Sequence, residues 1–146
     1  MGNTANGRGH YVGTTMKLTV ETALKIIQAV IEAARAQNLP LAASVVDTGG
    51  RVLASARTET AGYVNLDVAE KKAATAVNFG ASSQAVLKMI EGEPFLLSAV
   101  MQEANLSLIP GGFPIHVSGE LVGGLGIAGA RYTLDQARGE KILASL

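Results

Sequence analysis

The chain contains no cysteine and no tryptophan. Without cysteine there is no disulfide, no thiolate nucleophile, no iron–sulfur cluster and no Cys-based zinc site. Aromatic residues make up only 4%. Net charge is also missing: Lys plus Arg number 12, and so do Asp plus Glu. A chain with no basic excess has little with which to neutralise phosphates, so nucleic acid is not expected as a partner. Electrostatic attachment to an anionic membrane is not expected either. No apolar run reaches the roughly 20 residues of a membrane-spanning helix. The first residues lack the charged start and apolar stretch of a signal peptide, and a cytoplasmic protein is the expectation. The only histidines, His10 and His116, are far apart. A multi-histidine metal site would need carboxylates or a second subunit.

What is present is a 146-residue chain that is 48% hydrophobic and rich in small residues, with 17 glycines. That length suits one domain with a real core. Residues 1–15, MGNTANGRGHYVGTT, are polar and aperiodic and read as a flexible extension. The folded domain is expected over 16–146.

Thr19 is a good N-cap, and Val20, Leu24, Ile27, Ile31 and Ala34 follow at helical spacing. Pro40 places the end of that helix near Asn38. Leu41–Val46 and Arg51–Ala56 read as strands joined by the turn Asp47-Thr48-Gly49-Gly50. Helices are expected over Asn65–Phe79, Ser82–Ile90 and, after Pro94 at a first helical position, Phe95–Ala104. Three more strands follow: Leu106–Ile109, Pro114–Val117 and Leu121–Gly129. Ser118-Gly119-Glu120 makes a hairpin between the last two. Thr133 and Gln136 form a T-x-x-Q capping pattern opening a last helix that reaches Ala144. Hairpins imply an antiparallel sheet, and helices must cover its apolar faces, so the fold class is α+β.

The ribbon Pro110–Ala130, PGGFPIHVSGELVGGLGIAGA, is the most informative stretch. Glycines inside a strand weaken it and mark close approach by another backbone or a ligand. GGFPI and SGELVGGLGIAGA, followed by a polar turn with Asp135, resemble the GlcG/HbpS family, the haem-degrading domain family. ASVVDTGGRVLASARTETA and AEKKAATAVNFG resemble two further motifs of that family, in the same order. The match runs from Leu18 to Leu143. The resemblance implies a profilin-like antiparallel sheet flanked by helices. It also implies a homo-oligomer, a dimer, tetramer or octamer, that binds a small-molecule ligand. Haem or a related tetrapyrrole is the implied cofactor, since the family includes a haem-binding sensor and the C-terminal domain of PduO-type corrinoid adenosyltransferases. Two departures stand out. Arg57-Thr58-Glu59-Thr60-Ala61 replaces the family's RMDGA, and Gly126–Ala130 lacks the family's serine.

Several residues are candidates for a site, each with a structural alternative. His116, on a strand between Ile115 and Val117, should point away from the face those two share. It reads as a haem or metal ligand or a proton carrier, or as a solvent-facing or interface histidine. Glu59 follows a strand end, and the family resemblance implies that it faces the glycine-rich ribbon. It reads as a general base, a metal-binding carboxylate or a solvated loop acid. Arg57 suits a bidentate grip on a carboxylate or an ion pair with Glu59. Lys72 matches a recurrent family lysine. It reads as a substrate-anion contact or as an ion pair with Glu70 or Glu59. Gly111 and Gly112 offer backbone N–H groups to a carboxylate, or form a tight structural turn. Together these place a site between the Arg57–Tyr63 loop, the Lys72 helix and the Gly111–His116 strand, with the helix start near Asn65 favouring an anionic group.

Three functions remain open: a binding module for haem or a related tetrapyrrole; a small enzyme of carboxylate or aromatic catabolism in which Glu59, Lys72 and His116 share proton transfer; or an oligomeric accessory protein without catalysis.

Overall fold

The computed structural model describes residues 18–145. The expected extension 1–15, His10 and the expected domain start at Met16 lie outside the described residues. The elements run α1 (Val20–Ala36), β1 (Ala42–Val46), β2 (Val52–Arg57), α2 (Val64–Phe79), α3 (Ser83–Ile90), α4 (Pro94–Met101), β3 (Gly112–Val117), β4 (Glu120–Ala128) and α5 (Tyr132–Ala144). The strands form one antiparallel sheet in the order β2-β1-β4-β3. The α+β class and the helix-flanked antiparallel sheet are as the sequence indicates.

The sheet is covered on both sides. Ala43, Val45, Leu125, Ile127, Phe113 and Ile115 form the main core with Ala23, Ile26, Ile27, Val30 and Ala34 of α1 and Ile142 of α5. The opposite face packs on α2 through small side chains: Ala42 and Ala128 against Ala69, and Val46 against Ala73 and Val77. A central strand buried on both faces reads as a continuous apolar run, and all five β1 residues are buried.

The glycines of β4 belong to this second face. A Cβ on Gly126 would run into the carbonyl oxygen of Ala69, and one on Gly124 would sit 2.6 Å from that of Ala73. The backbones of α2 and β4 therefore approach too closely for any side chain between them.

Local chemistry explains most boundaries. The Thr19 hydroxyl accepts from the Thr22 N–H at 3.1 Å, and Ser82 does the same for Ala85. Asp47 Oδ1 accepts from the N–H groups of Gly49 and Arg51, closing the β1–β2 turn. Ser118 and Gly119 both adopt positive φ, as a two-residue hairpin turn requires.

Four expectations are corrected. The buried stripe of α1 is shifted in part from the expected one: Ile27 and Ala34 are inside as expected, together with Ala23, Ile26 and Val30, while Val20 and Leu24 are exposed. This helix is apolar over more than one stripe, and tertiary packing chooses between them. Residues 106–109 do not pair with the sheet. The helices take their polar groups instead: Ser107 N–H donates to Thr75 Oγ1 at 2.8 Å, and Ser83 Oγ donates to the Ile109 carbonyl at 2.8 Å. Thr133 does not cap α5, whose N-cap is Arg131 with no side-chain cap bond. Gln136 instead donates to Glu140 one turn on. Finally, strand alternation fails at Val117, which does not share the buried side of Ile115. The β3–β4 register shifts between Ile115 and His116, and His116 and Val117 are both exposed.

Candidate functional site

Lys72 lies on the buried side of α2, with 2% of its side chain accessible. Its ammonium donates to the Ile127 carbonyl at 2.7 Å and to Asp135 Oδ2 at 3.4 Å. Arg138 Nη1 donates to the other oxygen of Asp135 at 3.2 Å. The expected partners, Glu70 and Glu59, are not involved. Asp135 sits in the first turn of α5 and is fully buried. Burial moves both ionisations toward neutrality. It lowers the Lys72 pKa and raises that of Asp135, and their mutual attraction opposes both shifts. This cluster ties α2, β4 and α5 together.

Gly111 and Gly112 complete it. Gly111 has φ 124°, and a Cβ there would sit 2.9 Å from Lys72 Nζ and 2.6 Å from the Ile127 carbonyl. Its conformation and its surroundings both require glycine. The Gly112 N–H donates to Ser83 Oγ at 2.9 Å, so it is taken up within the protein.

Glu59 and Arg57 make local contacts. Glu59 is exposed and pairs with Arg35 of α1 at 2.7 Å, so it faces α1 rather than the glycine-rich ribbon. The hydrogen bond from Arg35 holds the Glu59 carboxyl below its usual range. Arg57 does not pair with Glu59 through its carboxylate. Its Nη1 donates to the carbonyls of Ala61 at 3.0 Å and Thr58 at 3.3 Å, closing the loop after β2.

The structure therefore joins Lys72 to Gly111 but does not bring Glu59, Lys72 and His116 together within one protomer. Glu59 follows β2, one edge of the sheet, while His116 is on β3, the other edge. They also lie toward opposite ends. Arg57 is level with Ala42 and Ala128, whereas His116 is level with Leu121. Between Leu121 and Ala128 the strand spans roughly 20 Å.

A concave site lies elsewhere. The segment 106–110, displaced from the sheet, forms one wall of a groove of about 600 Å³. Leu87 of α3, Leu97, Val100 and Met101 of α4, and Tyr132 of α5 form the rest. Among the described residues no lining side chain is charged. The helices that form it also carry exposed apolar side chains: Phe95 of α4 is 95% exposed and Met89 of α3 62%. The volume falls within the ~300–1,000 Å³ of small-molecule and cofactor pockets. A smaller cleft of about 370 Å³ is lined by Arg51, Asp67, Glu70 and Lys71, and its walls are strongly charged. Among the described residues there is no group of three or more metal-binding side chains and no helix long and apolar enough to cross a membrane.

The groove was missed in the sequence because Leu106–Ile109 reads as a strand. One signal was available. The α4 sequence PFLLSAVM is apolar almost all round, and a helix of that kind must find apolar surroundings on more than one side.

Comparisons with known proteins agree on the fold. A double mutant of Streptomyces reticuli HbpS superposes with a TM-score of 0.79 at 32% identity, covering 90% of this chain and 88% of that one. A PduOC:heme complex superposes with a TM-score of 0.79 at 26% identity, covering 90% and 96%. In sequence, an uncharacterised 15.0 kDa protein from the dhaT-dhaS intergenic region of Citrobacter freundii is 27% identical over 127 residues, 86% of this chain and 89% of its own length. The model of the family described as haem-degrading protein HbpS-like matches residues 18–144, and the chain belongs to that family.

Proposed function

We propose that the protein binds haem, or a related tetrapyrrole such as a corrinoid, in the groove between α3, α4 and the start of α5. The observation that carries this reading is the uncharged wall of a groove of about 600 Å³, open to solvent along exposed side chains. A flat macrocycle buries its apolar faces in such a site, and its charged edges remain in water. The donor set fits a metallated ring: Met101 offers a thioether and Tyr132 a phenol. Two exposed cations, Lys88 and Arg131, adjoin groove residues in sequence and suit the acidic edge of the ring. The likeness to a PduOC:heme complex supports the same ligand class. When bound, haem supplies an iron centre; the chain contributes binding, orientation and exclusion of water.

The acid/base reading needs Glu59, Lys72 and His116 to converge, and within a protomer they do not. His116 as a ligand would have to act on a different surface from this groove.

Self-association is part of the proposal. Large apolar side chains are exposed on several faces, among them Leu24, Tyr63, Val64, Phe95 and Met101. Exposed apolar surface of this extent marks interaction sites. An even-numbered homo-oligomer follows from the prevalence of two-fold assemblies. Light scattering at micromolar concentration tests it, and a monomer would reject it.

The ligand is tested by titrating the full chain with hemin and following the Soret band. A stoichiometric endpoint is expected, together with its loss in Leu97→Glu, whose fold is checked by circular dichroism. A non-saturating titration in the parent protein would overturn the reading.

A further inference from the structure

We infer that Tyr132 is the residue that ligates the iron of haem held in this groove; the inference rests on the ligand proposed above. Side chains that hold haem iron are His, Cys, Met and Tyr. The chain has no cysteine, and among the described residues no histidine lines the groove. His116 lies at the far end of β3, and Ile109 and Pro110 of the groove precede that strand. From Gly111 to His116 the chain is extended over roughly 16 Å. Of the described lining residues only Met101 and Tyr132 carry a suitable donor.

Tyr132 is the better placed of the two for ferric iron. A phenolate oxygen is a hard, anionic donor, and a thioether is a soft, neutral one. Tyr132 is 55% exposed and lines the groove, so its side chain belongs to the surface and not to the core. Among the described residues no hydrogen bond occupies the phenol, so no internal contact is lost on ligation. The backbone beneath it is fixed. Tyr132 opens α5, and Asp135 in the same turn is held by Lys72 and Arg138. The buried ion pair thus positions the first turn of the helix that carries the ligand. Ligation would form one iron–oxygen bond in place of the water that ferric hemin carries in solution and would release the phenol proton to solvent; no electron is transferred.

Resonance Raman spectra of the ferric hemin complex of the full chain test the inference. The expected spectrum carries phenolate modes coupled to the iron. These modes should vanish in Tyr132→Phe, with affinity weakened by about tenfold or more, equivalent to about 1.4 kcal/mol. They should persist in Tyr63→Phe, Met101→Leu and His116→Ala. Tyr132 is exposed and its hydroxyl unbonded, so Tyr132→Phe should keep the parent circular dichroism spectrum. Stoichiometric binding with an unchanged spectrum in Tyr132→Phe would overturn the inference and leave the haem reading standing. So would imidazole ligation by either histidine, or thioether ligation lost in Met101→Leu. No stoichiometric binding by the parent protein would overturn both.

Discussion

Lys72 Nζ lies 3.4 Å from Asp135 Oδ2, across 63 residues of sequence, and both side chains are almost completely buried. The pair is sealed by Gly111 on one side and tied to Arg138 on the other. It connects the two layers of helix that sandwich the sheet.

Breaking this pair from one side should be severe. Lys72→Met leaves the Asp135 carboxylate buried with Arg138 alone, and loss of one partner of a buried pair costs about 3–5 kcal/mol. Replacing both, as Lys72→Met with Asp135→Leu, should cost less than the single change. Urea denaturation of the two variants gives the comparison. Equal or greater loss in the double variant would show that the charges themselves stabilise the fold.

The same pair sets a pH dependence. The folded pKa of Asp135 is raised above its ordinary 3.8, so the folded state holds the proton longer than the unfolded state. Its contribution is favourable below 3.8 and is lost as pH rises through the folded value. The folded pKa of Lys72 is lowered from 10.5, so its contribution is regained above 10.5 and is lost as pH falls through the folded value. The stability difference between the parent and the double variant should therefore fall as pH rises above 3.8 and recover toward 10.5. A flat difference across this range would contradict the burial-driven shifts.

Gly126→Ala should destabilise the protein by about 1–3 kcal/mol, because the new methyl meets the Ala69 carbonyl and α2 must move off β4. Gly119→Ala serves as a contrast: its Cβ would meet nothing, and only the positive φ opposes it. The Gly126 variant should show the larger drop in midpoint on thermal unfolding.

Ser44 offers the opposite outcome. Its side chain is fully buried on the central strand, and among the described residues its hydroxyl has no hydrogen-bond partner. An unsatisfied buried hydroxyl carries a desolvation cost of about 1–3 kcal/mol. Ser44→Ala should thus be neutral or stabilising in urea denaturation. A clear loss of stability would mean that the hydroxyl is satisfied, for instance by water.

Glu59→Gln should leave both the fold and hemin binding unchanged. The Arg35–Glu59 pair is open to solvent, where such pairs contribute little and are screened by salt. What it does contribute is present above the unfolded carboxyl pKa and is lost as pH falls through the lowered folded value. Loss of hemin binding in this variant would place the ligand near the β2 loop instead.

Local chemistry and patterning were enough for much of the fold. Thr19 and Ser82 mark helix starts, Asp47 and the Ser118–Gly119 pair mark turns, and the apolar runs of β1 and β4 mark central strands. These signals act over a few residues, so the sequence states them directly. The glycines of β4 likewise announced a close approach, though not which backbone would come near. The site was much less legible. His116, Glu59 and Lys72 are conspicuous as residue types, yet one is exposed on an edge strand, a surface arginine takes the second and a distant aspartate takes the third. Asp135 sits 63 residues from Lys72, and no local pattern pairs them. The groove depends on where residues 106–110 run, and that is settled by two hydroxyls, Thr75 and Ser83, on helices far back in the chain. Short-range hydrogen bonding and periodicity belong to the sequence by itself. Which charges are buried together, and which apolar surfaces are left open, depends on long-range packing and was decided only by the tertiary structure.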